Sequence, residues 1–571
     1  MKRAGRPFYA RLWDRRLGEY PAPAARYWFL TIVVLSTITL YYQQYVSGAV
    51  APSLLAHFQI TFRFYLNVVV ISSVAGAIAS LIAGLANRWG RANIVVGGLL
   101  VASLITAFAI PVAPSAVVFA TLVSIVGFVE GMVLVATPAL VRDFSPQIGR
   151  GSAMGAWALG PIVASLTVAE VASNTLGHLH PWQDQYHIAG FTGLAVVALA
   201  LVSLRELAPN LRDQLMVSLK ERVLLETRAL GIDTAETMRR PWRQMSTWSV
   251  VLPAVGVALF LLIYFGAVGF FVIYFNSVFG FSQAQANSLG NWFWAADAIA
   301  LVVIGTLSDR IRVRKPFIFV GGLGAVVMTA IFATRATHAH TSYTTFVIII
   351  SILSVFRGTA YAPWMAAFTE TVERRNPALI ATGLAIWGWL LRSIAAVSFL
   401  VIPFVVTAVS PIADYGTHLQ AILAKYGPEV ATLRAIDPAT RAALQHNQHD
   451  TAAILAALSQ ISAHDHITKP QAITRLLAAR SVPAADRSYL FAHGQQVLDA
   501  RQQAPHQWRT WWWVCAGSEV LFLPTIFFLV GRWRPSAARR DSEEHDRMVD
   551  EELAELARGT DAAAGVAAGP G

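Results

Sequence analysis

Two short apolar runs carry one charge each. Ser124–Pro138 reads SIVGFVEGMVLVATP and holds only Glu130, while Ser351–Pro363 reads SILSVFRGTAYAP and holds only Arg357. Both charges are followed by glycine, Gly131 and Gly358. An acid and a base at matching places in two similar runs point to two related halves facing each other across something polar. An ionisable group in hydrocarbon is costly, so each is a functional candidate by default. Asp297 is a third, twelve residues before Asp309 as Glu130 is twelve before Arg142. At 1.5 Å per helical residue that is roughly 18 Å from an interface, near a bilayer midplane. Arg357, thirteen residues before Glu370, has a similar depth. Glu519 and Arg392 also interrupt apolar runs, and Glu170 is expected to be solvated near a surface.

The chemistry these groups offer is binding and proton exchange. A guanidinium stays charged and grips carboxylate or phosphate through two parallel bonds. Arg357 is therefore expected to recognise an anionic solute group, or to hold Glu130 or Asp297 between turnovers. A carboxyl that meets a cation in one conformation and is desolvated in another takes up and releases a proton in step with the change. Glu130 and Asp297 are the proton-coupling candidates. The plainer reading is a fixed buried pair, Asp297–Arg357, serving helix registration.

The elements that must position these groups follow from composition. The chain has 571 residues, 55% hydrophobic and 13% charged, which is far too little charge for a soluble protein of this size. Its many apolar runs of about 18 residues or more indicate a polytopic helical membrane protein. They are too long, and alternate too little, for barrel strands. The single Cys515 excludes an internal disulfide and a cysteine metal site. Twelve spans are expected, over 28–50, 65–86, 93–112, 115–137, 152–173, 187–204, 248–276, 286–307, 316–334, 342–366, 378–409 and 509–531. With the N-terminus inside, the short outer loops hold only Arg63 and Arg335, and the inner segments collect most Lys and Arg. The net charge of +11 is thus read as topology and not as a nucleic-acid surface.

The domain reading runs as follows: a basic cytoplasmic segment 1–27, an N-terminal six-helix lobe 28–204, a charged cytoplasmic linker 205–247, and helices seven to eleven over 248–409. A helical extracytoplasmic insert 410–508 precedes helix twelve, 509–531, and a cytoplasmic tail 532–571. The N-terminal arginines fit an interfacial helix or a solvated basic tail equally. His464 and His466 are two apart and do not share a helix face, so no metal site is expected in the insert.

Two loops carry a family resemblance. Ala83–Arg91 reads AGLANRWGR, and Gly305–Lys315 reads GTLSDRIRVRK. Both resemble the conserved loop GxxxDRxGR of the major facilitator superfamily. The first departs at Ala83 and Asn87, and the second has Arg312 where glycine is usual. The resemblance covers 28–409 and 509–531. It implies an all-α membrane fold of two pseudo-symmetric six-helix lobes. It also implies a gating role for Asn87, Arg88, Arg91, Asp309 and Arg310, and a central cavity lined by spans one, four, seven and ten. On that frame Glu130 and Arg357 face the path from opposite lobes. Tyr361 and Trp364 share a face with Arg357, Tyr41, Gln44 and Tyr45 come from span one, and Tyr264 from span seven. With Arg357 these are the expected solute-binding residues. Span five carries Gly151, Gly160 and Pro161, part of the antiporter motif of drug exporters in this superfamily, but Ala164 and Ser165 replace its next glycines.

There is no GxxxxGK[ST] and no nucleophile–base set, so neither an ATP-driven pump nor an enzyme is expected. The reading is a monomeric secondary transporter of a bacterial inner membrane, without cofactor or metal. It takes up a small organic anion with protons. A proton-antiport exporter of amphipathic compounds and a transporter-like sensor presenting the insert are the alternatives.

Overall fold

The computed structural model describes residues 15–82, 90–145, 155–176, 182–208, 241–311, 313–376, 379–447 and 449–536, with Leu211, Arg540 and Arg547 besides. Twelve helices among them are long and apolar enough to cross a membrane. They match the twelve expected spans in number and order.

The first lobe contains α1 (Pro23–Ala49), the short α2 (Ala51–Phe58), α3 (Phe62–Ile82), α4 (Arg91–Leu104, continued by a π turn, Ile105–Ala109), α5 (Ala116–Phe144), α6 (Gly160–Thr175) and α7 (Trp182–Ser203). After the short α8 (Pro241–Met245), span seven is broken at Leu261 into α9 (Trp248–Phe260) and α10 (Leu262–Phe279). Then come α11 (Gln283–Ile311), α12 (Lys315–Arg335), α13 (Tyr343–Arg375) and α14 (Ile380–Val405). The insert supplies α15 (Val409–Arg434), α16 (Pro438–His446), α17 (Thr451–Asp465) and α18 (Lys469–Ala479). Its last helix does not stop at the membrane. It runs on as α19 (Ala484–Phe522), one helix of 39 residues that includes span twelve. Sequence reading placed a boundary at 508; no helix breaker stands there, and Pro505 is absorbed inside the helix.

The two charged runs are built alike. α5 is capped by Ser115 and α13 by Ser342, each side chain accepting a backbone N–H three residues on. Each serine lies fifteen residues before its charge, since 130 − 115 and 357 − 342 are both 15. The glycine after each charge is a crossing point. A Cβ on Gly131 would overlap the Gly76 carbonyl of α3, and one on Gly358 would stand 2.7 Å from Ala300 Cβ and 3.1 Å from Asp297 O of α11. Span four thus crosses span two at backbone contact, as span ten crosses span eight. With lipid outside as apolar as the side chains, such close small-residue seams are what hold membrane helices together.

Arg15 anchors the N-terminal segment, donating to the carbonyls of Ala200, Leu201 and Leu204 at the end of α7. There β1 (Arg16–Leu17) pairs in parallel with β2 (Glu206–Leu207). Residues 1–14, most of the linker and nearly all of 537–571 lie outside the described residues. The insert is helical, as expected, with two small cores of its own around Leu419, Ile422 and Leu490, and around Ile436, Ala457 and Ile461.

Candidate functional site

The lobes meet through spans five and eight, two and eleven, and one and seven. At the end of the bundle away from the termini this seam is bonded shut. Asn287 of α11 donates to the Ala49 carbonyl at 3.1 Å, and Ser53 donates to Gln283 at 3.0 Å. Asn291 donates to Glu170 at 2.6 Å and to Ser173 at 3.0 Å. Glu170 is exposed, as its position suggested, but it is also a cross-lobe acceptor. Gly48 lets α1 approach α10 so closely that a Cβ there would lie 2.7 Å from Val268 O. A cavity of about 40 Å³ remains just beneath, lined by Tyr45, Ser165, Asn287 and Trp294 among others, with room for a few waters.

At the terminus-bearing end, the hydrogen bonds among the described residues stay within a lobe. Arg91 pairs with Asp143 at the end of span four, at 2.6 Å, and its backbone N–H donates to Glu206. Gly90, at φ +93°, makes the turn that brings that carboxylate onto the start of α4. In the second lobe Arg314 takes the matching place. It donates to Asp309 at 2.5 Å and to Glu370, at the end of span ten, at 3.0 Å. Arg91 and Asp309 therefore sit in intra-lobe clamps in this conformation, and Arg310 is exposed. Asn87 and Arg88 lie outside the described residues. Arg314 was not singled out from the sequence; comparing the two loops by their basic residue and the acid ending span four or ten would have found it.

Between the two ends lies the charged centre. Arg357 is 2% exposed. Its guanidinium rests against the rings of Tyr264 and Phe293, each with its centroid 5.3 Å away. Its Nε and Nη1 find no hydrogen-bond partner. Its charge reaches Asp297, Tyr264 and Tyr361, and on the far side Glu519, yet no ion pair to Asp297 closes among the described residues. Asp297 is buried, 2% exposed, on α11. Glu519 is fully buried and accepts from Thr329 at 3.0 Å, its other oxygen unpartnered.

Glu130 is 5% exposed with Oε2 unpartnered. The cation whose charge it feels is Arg392 of span eleven, across the interface, and not Arg357. Its field also reaches Tyr41 and Tyr45. Those two rings pack at 5.5 Å, and the hydroxyls of Tyr45 and Ser165 face that of Tyr264, whose ring packs at 5.3 Å on Trp294. So Glu130, Tyr41, Tyr45, Tyr264, Asp297, Arg357 and Tyr361 are brought into one electrostatic neighbourhood. Two expected residues are placed apart from it. Gln44 turns into a small crevice within the first lobe, beside Ser72 and Gly127. Trp364 is fully buried, stacked between Tyr361 and Phe368 and tilted against Trp387. It backs Tyr361 and does not face open space. Ser165, Phe293, Trp294 and Arg392 join the site without having been selected for it.

The described residues hold no group of three or more acidic, histidine or cysteine side chains arranged for a metal. What the arrangement offers is a ring-flanked guanidinium with two unbonded nitrogens, two buried carboxyls and a set of phenols, beside a seam that is bonded across the lobes at the end away from the termini.

The Major Facilitator Superfamily model matches residues 33–399. A curated relative, the MFS-type transporter penM of Penicillium rubens, is 25% identical over 184 residues, covering 30% of this chain and 35% of that protein. The chain thus aligns with about a third of the length of that relative. Among solved structures, a bacterial homologue of the human lysosomal transporter Spinster, inward-facing and unoccupied, superposes with a TM-score of 0.52 at 15% identity, covering 84% of this chain and 99% of that one. The xylose transporter XylE from E. coli gives 0.46 at 13% identity over 66% of this chain and 97% of that one. On the match over 33–399 the chain belongs to the Major Facilitator Superfamily, and its twelve long apolar helices make it a multi-pass membrane protein.

Proposed function

We propose that the protein is a secondary active transporter that takes up a small organic anion together with protons by alternating access. The observation that carries this reading is Arg357: a buried guanidinium at midplane depth whose Nε and Nη1 have no partner. A structural arginine at this depth would be paired, because an unpaired buried charge is expensive. A fork left open between Tyr264 and Phe293 is suited to a carboxylate on a small, partly apolar body. Glu130 and Asp297 are the proton carriers. Glu130 lies in the first lobe and answers to Arg392 in the second, so rocking of the lobes changes its electrostatic surroundings.

The excess of Lys and Arg in the loops on the terminus-bearing side supports cytoplasmic termini, with the insert outside. The conformation bonded shut away from the termini is then inward-facing. Gly160–Pro161, the part of the exporter motif that lies within the described residues, is accounted for by packing, since a Cβ on Gly160 would meet Thr37 at 3.0 Å. The test is uptake into proteoliposomes under an inward proton gradient, screened over small carboxylates, phosphates, sugars and amphipathic cations. Gradient-driven accumulation of an acid is the expected result. Accumulation of a cation or a neutral drug under an outward gradient, with no acid transported, refutes the proposal and favours export.

A further inference from the structure

The insert is joined to the second lobe at both ends, since α15 follows span eleven directly and α19 continues into span twelve. Its contacts are not confined to that lobe. α15 packs against α2 and against the start of α3, both in the first lobe, as well as against α10 and α19. At that contact the Asp414 carboxylate accepts the backbone N–H of Phe62 at 3.0 Å, across 352 residues of chain. Phe62 is the first residue of α3, where a helix leaves its N–H groups unpaired and carries a partial positive charge. The Phe62 side chain is fully buried and meets the Phe270 ring of α10 at 6.0 Å, so the same residue is held by the second lobe twice. This is the end of the seam that Asn287, Asn291 and Gln283 close.

We propose that α15 of the insert is a latch across the two lobes, and that Asp414 is the residue that seats it on the N-terminus of span two. The contact exists only while the far end of the seam is closed. Opening that end moves α3 with the first lobe and α15 with the second, and breaks it. The inference rests on the alternating-access reading above.

The latch also responds to acid. Burial pushes the Asp414 carboxyl up to about 6, against the Phe62 N–H bond, which lowers it. Once the latch opens, the side chain is solvated and returns to about 3.9. The closed form therefore binds the proton more tightly, and the closed population rises as pH falls from above 6 toward 4. The titratable and charged groups on the elements packed against α15 include, with His418 of α15 itself, Asp486, Tyr489 and His493 of α19, Arg63 of α3 and His57 of α2, and of these Tyr489 feels the Asp414 charge. His418 stands 3.9 Å from Asp486, and the His493 ring stacks on Tyr415 at 3.9 Å. Arg475 of α18 is paired with Asp465. Wild type is therefore compared with D414N, which leaves all of these neighbours in place.

The experiment places nitroxides at Val112 and Ala339, exposed positions at the far end of the two lobes, in the otherwise intact protein; Cys515 is buried and does not react. Pulsed electron–electron distances are read in liposomes at pH 7.5 and pH 5. Asp414→Ala is expected to raise the open-to-closed ratio on the order of tenfold at pH 7.5, as loss of a charge-assisted bond should, and by more at pH 5, because it also lacks the acid-driven closure of wild type. Asp414→Asn keeps the shape and an acceptor, and is expected to stay closed without the shift toward closure that wild type shows at pH 5. Asp414→Ala with wild-type distances overturns the latch. If that variant fails to reach the membrane, Asp414→Asn decides: a wild-type pH response in D414N, or no response in wild type, overturns it. Failure of the anion reading shows separately, as absence of acid flux in every variant while the distance change persists.

Discussion

Replacing Arg357 by methionine separates a binding arginine from a structural one. The guanidinium is 2% exposed, with Nε and Nη1 unbonded and two rings against it. The two ring contacts are worth about 0.5–2 kcal/mol each. Against them stands the effective cost of holding an unpaired ion out of water, several kcal/mol. Methionine fills similar space, keeps sulfur–ring contact and removes the charge. Arg357→Met is therefore expected to melt no lower than wild type without solute. With solute the balance reverses. A carboxylate seated across the fork makes two charge-assisted bonds, at about 1.5–3 kcal/mol each. Losing both weakens binding by roughly two to four orders of magnitude. Arg357→Lys keeps a point charge but not the fork, and is expected to fall between. The assay is a melting curve of each variant with and without the acid found in the uptake screen, together with its affinity by calorimetry. A methionine variant that melts well below wild type and binds the acid with unchanged affinity refutes the argument, and marks Arg357 as part of the framework.

Three further outcomes follow from the geometry. Glu130→Gln should lose gradient-driven accumulation while keeping solute counterflow, measured in the same proteoliposomes; accumulation that survives removes Glu130 from the coupling. Gly131→Ala should cost about 1–3 kcal/mol, toward the upper end because the added methyl would overlap the Gly76 backbone, which cannot turn aside as a side chain could, and should lower the melting temperature. Gly48→Ala should wedge α1 from α10 at the closed end and raise labelling of a cysteine introduced in the seam, since its Cβ would lie 2.7 Å from a carbonyl that cannot turn aside.

Much of this was readable from sequence, because lipid makes membrane proteins plain at the level of the helix. Twelve apolar runs became twelve spans, and Glu130, Asp297 and Arg357 are buried inside them, as the cost of charge in lipid led one to expect. The glycines after Glu130 and Arg357 marked real crossings. What could not be read was rotation and pairing across the interface. Tyr41, Gln44 and Tyr45 come from one helical neighbourhood, but span one is covered on several sides, so spacing alone could not tell that Gln44 turns into its own lobe. Trp364 shared a helical face with Arg357, yet the rings of Phe368 and Trp387 enclose it. The match of Glu130 with Arg357 was a true relation of sequence repeat. The partner in the field is Arg392, because repeat-related positions sit symmetrically about the seam and need not touch. The clamp of Arg314 on Glu370 escaped because attention fell on Asp309 and Arg310, which the loop pattern names.

The unbroken α19 has a mechanical consequence. From Ala484 to Gln507, before the tryptophans of span twelve, it extends 24 residues, or about 36 Å of rigid rod. A lobe rotation of about 15° would swing the tip of such a rod by about 9 Å. The insert is thus a pointer geared to the second lobe, amplifying a tilt too small to see at the seam. On the proposed topology, a binder gripping α17 or α18 from outside is expected to stall transport without entering the solute path, and its inhibition would not be relieved by raising solute concentration.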